Sequence, residues 1–211
     1  MKNRDNVTLV EHPVISRDLT ILRDTSTSIS EFRFALKRIA TILAYHSLKD
    51  LPTYSFQIET PIEKTEGFDI DADVVVVPIL RAGLGLVQGI IEFMPKARIG
   101  HLGMYRDEET HEPIDYYSNL PDGIENAFVL LVDPMLATGG SASDALGYLR
   151  QEGARKIIFI SLISAPEGLK RLQEEYPDVQ IITAAIDDRL NDDAFIVPGL
   201  GDAGDRYFGT T

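Results

Sequence analysis

Four apolar, mostly branched residues, Val129 to Val132, end at Asp133; the chain then turns through Ala137, Thr138, Gly139 and Gly140, and a helical pattern opens at Ser141. Ala142, Ala145, Leu146 and Leu149 carry the apolar spacing of a helix packed on one face. Taken alone, an apolar strand followed by Thr-Gly-Gly can be only a turn, but a buried strand feeding a helix in this way also suits an α/β architecture, and the rest of the chain decides. Such a junction also makes a corner suited to an anion. The first backbone N–H groups of a helix have no intrahelical partner, the helix dipole is positive there, and glycine lets the main chain come close to a ligand.

The same grammar continues along the chain. From Asp73 onward, continuous apolar runs alternate with amphipathic segments, as in a parallel sheet covered on both faces. Strands are predicted over residues 74–80, 98–104, 127–132, 156–162 and 179–186, and helices over 84–93, 141–151 and 166–175, with Pro166 placed for a first turn. Before this core, residues 6–12 read as a short extended segment ended by Pro13. Ser28 and Glu31 form a capping-box pattern, and Phe32, Leu36, Ile39 and Leu43 mark one face of a long helix. Tyr54, Phe56 and Ile58 alternate with polar residues as a half-buried strand does, and 63–71 reads as an acidic connection.

Two segments break the alternation. Residues 105–122 are polar, hold two prolines and show no helical stripe, which suits a lid, a binding arm or an interface element. The tail after Asp187 is too rich in glycine over 198–205 for either regular element.

A chain of 211 residues can bury one sizeable core, so one domain with an appendage is expected. The absence of cysteine excludes disulfides, cysteine metal sites and a thiol nucleophile. A net charge of −13 argues against a nucleic-acid partner, although a few converging arginines can still hold a small anion. With no run of signal-peptide or membrane-span length, no membrane partner is expected and the expected location is cytoplasmic.

Three further segments carry candidate chemistry. Pro78-Ile-Leu-Arg-Ala-Gly-Leu-Gly85 follows an apolar run and sets Arg81 beside a glycine turn. Gly83, Gly85 and Gly89 are a variant of a dinucleotide fingerprint, but the glycine spacing is wrong and no acid is placed for a ribose at the next strand end. Met104-Tyr-Arg-Asp-Glu-Glu-Thr110 places Arg106 at a strand end; the plain alternative is a surface arginine paired with the acids after it. Ligand crevices of open α/β sheets lie beyond the carboxyl ends of the strands, so Arg81, Arg106 and Asp133 can share one crevice. In the tail, Val197-Pro-Gly-Leu-Gly-Asp-Ala-Gly-Asp-Arg206 is either a closing turn with Asp202 and Asp205 as turn acids, or a main-chain surface for a flat ring.

These four motifs, in this order, resemble the uracil phosphoribosyltransferases, a branch of the type I phosphoribosyltransferases. The likeness runs from about residue 74 to the end, and the N-terminal helix fits it. One departure from the wider superfamily stands out: Asp133 is followed by Pro134 rather than by a second acid. The resemblance implies a central parallel sheet flanked by helices, with a long loop or arm and a C-terminal hood. Residues 1–72 would contribute helices to the hood, 73–186 would form the core that binds phosphoribosyl pyrophosphate (PRPP), and 187–211 the hood that binds uracil. It implies PRPP contacts at Arg81, Arg106, Asp133, Pro134, Met135, Leu136, Ala137, Thr138, Gly139, Gly140, Ser141 and Asp202. It sets uracil against Ile196, Gly201, Asp202 and Ala203, with Arg81, Arg106 and Asp202 as the catalytic set. Residues 164–168 also match the family, in a packing or crevice-wall role. Mg²⁺ is implied as cofactor, held mainly through PRPP, and a homodimer or higher homo-oligomer is implied; GTP activates some members, and this sequence leaves that point open. No residue is an evident general base. Transfer to another nucleobase, or a non-catalytic nucleotide- or RNA-binding regulator on the same fold, are the alternatives.

Overall fold

The structure, a computed structural model, describes residues 6–106 and 113–210, with the side chains of 104–106 and 113–116 outside the description. In chain order, β1 (Val7–Leu9) leads through α1 (Pro13–Arg23) and α2 (Ile29–Ser47) to an antiparallel ribbon of β2 (Thr53–Glu59) and β3 (Lys64–Ile70). Then come β4 (Val74–Pro78), α3 (Leu84–Phe93), β5 (Arg98–Ile99) and a second antiparallel ribbon, β6 (His101–Arg106) with β7 (Pro113–Asn119). The chain goes on through β8 (Phe128–Val132), β9 (Met135–Leu136), α4 (Gly140–Gln151), β10 (Lys156–Ser164), α5 (Pro166–Glu175) and β11 (Gln180–Ile186). The tail holds a small ribbon, β12 (Arg189–Leu190) with β13 (Ile196–Val197), and ends in α6 (Ala203–Phe208).

The main sheet has the order β1-β11-β10-β8-β4-β5, with β9 also paired to β10, and every pairing is parallel. Its strands read as unbroken apolar runs because both faces are buried. Val74, Val76, Leu130, Val132, Ile160 and Ile182 face the layer of α1, α2 and α3. Their neighbours Val75, Val77, Val129, Leu131, Phe159 and Ile181 face α4 and α5. Each such side chain contributes about 1.5–3 kcal/mol on burial, so the strand runs are the main source of stability.

The Ser28–Glu31 capping box forms as expected: Ser28 Oγ accepts the Glu31 N–H at 3.3 Å, and the Glu31 carboxylate accepts the Ser28 N–H at 3.1 Å. Between α1 and α2 lies a buried carboxylate, Asp18, which takes a two-pronged bond from Arg38 at 2.8 Å and a second one from Arg17. Burial alone would raise its pKa; the Arg38 and Arg17 hydrogen bonds outweigh that and hold it below the ordinary value.

Several expectations are corrected. The extended segment stops before Pro13 as expected, but Pro13 also opens a helix missing from the sequence reading, α1, whose N-cap His12 accepts the Val14 N–H through Nδ1 at 3.1 Å. The acidic connection over 63–71 is largely β3, and β2 is exposed along its whole length rather than half-buried. Paired only with each other, the two strands put Tyr54, Phe56, Ile58, Phe68 and Ile70 into solvent. The strand expected over 98–104 breaks at Gly100, its first part joining the sheet and its second the β6–β7 ribbon. Half of the irregular segment 105–122 is thus strand. In the tail, the helix begins inside the glycine-rich stretch, at Ala203.

Candidate active site

The sheet order brings the ends of β4 and β8 side by side. The loop after β4 is pressed against its neighbour so closely that a Cβ on Gly83 would lie 2.5 Å from the Val132 carbonyl oxygen and 2.7 Å from Ile79 backbone atoms. Only glycine fits there. Arg81 leaves this loop with its side chain 59% exposed, the Leu80–Arg81 peptide being cis. Its guanidinium lies 3.5 Å from the Asp205 carboxylate and 5.5 Å from the centre of the Phe208 ring, both on α6.

After β8 the chain forms the expected turn. Thr138 is exposed and its Oγ1 accepts the Gly140 N–H at 3.3 Å; Gly139 caps α4 at a φ of +79°, and Ser141 is exposed. The start of a helix of 12 residues thus lies open beside the strand end. Pro134 and Leu136 are buried: the Pro134 carbonyl accepts the Leu162 and Ile163 N–H groups at 3.0 Å, and the Leu136 side chain enters the core against α4 and α5. They position the turn rather than line it.

A cavity of about 230 Å³ joins this corner to the tail. Ala82, Asp133, Met135 and Ala137 form one wall, while Phe195, Ile196, Gly201, Asp202, Ala203 and Gly204 form the other. Residues nearly seventy positions apart in the sequence reading, Asp133 and Asp202, therefore line the same space. Asp133 accepts the Met135 N–H at 3.3 Å. Burial pushes its carboxyl up to about 7, the Met135 hydrogen bond opposes that, and the charge of Asp202 adds to it. Asp202 is exposed and caps α6 by accepting the Asp205 N–H at 2.9 Å.

Arg106 stands at the end of β6, its backbone paired with Pro113; its side chain, and all of Asp107, Glu108, Glu109 and Thr110, lie outside the described residues. Of the sequence-predicted set, the cavity wall includes Asp133, Met135, Ala137, Ile196, Gly201, Asp202 and Ala203, with Arg81 and Thr138 to Ser141 on the flanking loops. Among the described residues no group of three or more His, Asp or Glu side chains is placed to hold a metal, nor is any helix long and apolar enough to cross a membrane.

Sequence reasoning missed the supports of the tail wall. Arg23, at the end of α1, pairs with the buried Asp187 at 2.6 Å, and Ala194 lines the cavity at a positive φ of 62°. The Arg23–Asp187 pair spans 164 positions, and the only local clue was the cation at a helix C-terminus, hidden once Pro13 was read as a stop.

Comparison with known proteins agrees with this geometry. The family model described as uracil phosphoribosyltransferase matches residues 9–210. The chain belongs to the uracil phosphoribosyltransferase family. A uracil phosphoribosyltransferase of Salinibacter ruber is 54% identical over 206 residues, covering 98% of each chain. One from Pediococcus pentosaceus is 53% identical over 203 residues, covering 96% of this chain and 97% of its own. Among solved structures, the AQ2163 protein of Aquifex aeolicus superposes with a TM-score of 0.90 at 38% identity, covering 97% of this chain and 99% of its own. An adenine phosphoribosyltransferase from Trypanosoma brucei, with a TM-score of 0.61 and 12% identity over 88% of this chain and 86% of its own, shares the fold. The fold is thus that of the type I phosphoribosyltransferases, and this uracil phosphoribosyltransferase family member is an enzyme of pentosyl transfer.

Proposed function

We propose that the cavity transfers the phosphoribosyl group of PRPP to N1 of uracil, giving UMP and pyrophosphate with inversion at the anomeric carbon. The observation that carries this reading is the two-sided pocket, with Asp133 and the loop leading into the start of α4 on one wall and the glycine-rich turn of the tail on the other. The turn from Thr138 to Ser141, whose two end residues are exposed at the start of α4, suits the 5′-phosphate, and Asp133 suits the ribose hydroxyls. Gly201, Asp202 and Ala203, with Ile196 behind them, suit the base. Uracil offers acceptor, donor and acceptor along one edge where cytosine replaces an acceptor by an amino donor, a mismatch worth about 1–3 kcal/mol against fixed backbone groups.

As the bond to pyrophosphate breaks, positive charge grows on the ribose and negative charge on the leaving group. Arg81, 59% exposed and only 3.5 Å from the Asp205 carboxylate, and Arg106 at the edge of the β6–β7 ribbon would neutralise the latter. Mg²⁺ carried by the diphosphate would share that charge. The donor set suits a cation held mainly by phosphate oxygens, because Asp133 and Asp202 are the carboxylates on the cavity wall and, among the described residues, no group of three His, Asp or Glu side chains is placed to hold a metal. Division of labour follows the chain: residues 73–186 bind PRPP, 187–211 bind the base, and 1–72 brace them.

The exposed β2–β3 ribbon supports a homo-oligomer. Two strands alone are marginally stable in water, and five large apolar side chains exposed along them invite cover by a second copy.

The test is product formation from PRPP and Mg²⁺ with uracil, cytosine, hypoxanthine, xanthine and orotate in parallel, with and without GTP. UMP from uracil alone is expected, and a rate difference with GTP would identify GTP as an effector. Turnover of a different base would discard the assignment of the tail; no turnover of any base would favour a nucleotide-binding regulator.

A further inference from the structure

The pocket's tail wall is held from outside by a reciprocal arginine clasp. Arg23 grips the Asp187 carboxylate with two prongs, at 2.8 and 2.6 Å, and donates to the Gly199 carbonyl at 2.8 Å. The same Asp187 carboxylate accepts the Gly199 N–H at 2.8 Å. Both polar groups of the Gly199 peptide backbone are thereby fixed, in a turn where a Cβ would lie 2.1 Å from the Ile196 carbonyl oxygen. From the opposite direction, Arg206 of the tail donates to the Leu22 carbonyl, to the Leu200 carbonyl at 3.0 Å and to the Asp24 carbonyl at 2.6 Å. Its guanidinium also lies 4.7 Å from the centre of the Phe32 ring. The carbonyls of Gly199 and Leu200 are thus each taken by an arginine, immediately before the exposed Gly201 and Asp202 turn toward the cavity.

We propose that Arg23 and Asp187 are positioning residues for base recognition, making the end of α1 part of what sets selectivity although neither is among the residues lining the cavity. The inference rests on the reading that the tail binds the base. A main-chain surface discriminates between bases only if its depth and tilt are fixed, because its donors and acceptors cannot adjust by rotating a side chain. The backbone freedom of a glycine-rich turn is restricted here by a bidentate ion pair, 27% and 5% exposed at its two side chains, anchored in the sheet through the Asp187 N–H bond to the Ser164 carbonyl at 2.9 Å.

Three variants test this with uracil and PRPP varied separately: Arg23→Lys, which keeps the charge and loses the fork, Asp187→Asn, which keeps the shape and loses the charge, and Gly201→Ala in the tail itself. In the first two, the KM for uracil is expected to rise roughly tenfold or more with the KM for PRPP within about twofold, and the preference for uracil over cytosine to shrink. Arg23→Ala should show the same pattern, and added methylguanidinium should bring its uracil KM back toward the parent value. An unchanged uracil KM in Arg23→Lys and Asp187→Asn, or parallel changes in both KM values, overturns the positioning role while a raised uracil KM in Gly201→Ala leaves the base site standing. An unchanged uracil KM in Gly201→Ala removes the base-site reading and the proposal with it.

Discussion

Asp133 and Asp202 line one pocket from opposite walls, and burial, reinforced by the Asp202 charge, raises the Asp133 carboxyl from an ordinary 3.8 to about 7. In the folded protein Asp133 therefore holds a proton at pH values where the unfolded chain has released it. The consequence for stability has a definite sign: the group's contribution is full below about pH 4 and is lost as pH rises through 7. Urea unfolding from pH 4 to 8 should show the difference between the parent protein and Asp133→Asn shifting in favour of the variant as pH rises. On the proposed reading a ribose hydroxyl would donate to the ionised carboxylate, so as pH rises the KM for PRPP should fall by up to about tenfold per pH unit below 7 and level off above it. A flat profile from pH 5.5 to 8.5 would dissociate Asp133 from the ribose.

Arg106→Ala should damage catalysis far more than folding. Loss of one charge-stabilising donor typically costs about 10²–10³ in kcat, whereas surface substitutions stay within about 0.5 kcal/mol of stability. Steady-state kinetics beside thermal unfolding measures both. Parent-like turnover and PRPP affinity would remove the β6–β7 ribbon from the site.

Gly201 has a φ of +79°, and a Cβ there would find only Arg206 Cδ at 3.9 Å. Alanine at this position suffers from backbone conformation rather than from crowding, with a cost of about 1 kcal/mol or more that the turn relieves by shifting. Calorimetry should find uracil binding lost in the presence of a PRPP analogue and the analogue's own binding retained. Unchanged uracil affinity would end the case for main-chain recognition.

The β2–β3 ribbon should be the seat of self-association. Ile62 is 90% exposed and Phe68 66% exposed, so acids there disturb little of the monomer's own packing. Sedimentation of Ile62→Asp with Phe68→Glu should give a lower mass than the parent protein. An unchanged oligomer would locate the interface elsewhere.

The sheet was legible because burial on both faces leaves no polar position in runs such as Val74 to Val77, a pattern that few other structures produce. The strand-turn-helix around Asp133 was legible for a related reason, since glycine and a helix start carry local signatures. Other elements lack any local signature. Pro13 suits the first turn of a helix and the end of a strand equally well, and His12 as N-cap decides between them only once the turn has formed. Residues of β3 such as Glu66 and Asp69 look like a loop because the ribbon faces water on both sides. The Arg23 to Asp187 bond could not be read at all: arginines and aspartates are common on surfaces, and nothing within either segment selects its distant partner.

The joining of the two chain ends has a consequence for how the molecule comes into being on the ribosome. β1 has its register partner in β11, Val7 against Ile181, and the end of α1 waits for Arg206. β1 therefore lacks its sheet partner until β11 has been made, although α1 already has α2 to pack on through the Arg38–Asp18 bond, while β4 and β8 pair much earlier. A nascent chain that reached only β11 would hold the Asp133 side of the cavity without residues 195–204, so the two-walled cavity arises only when that later stretch has been made.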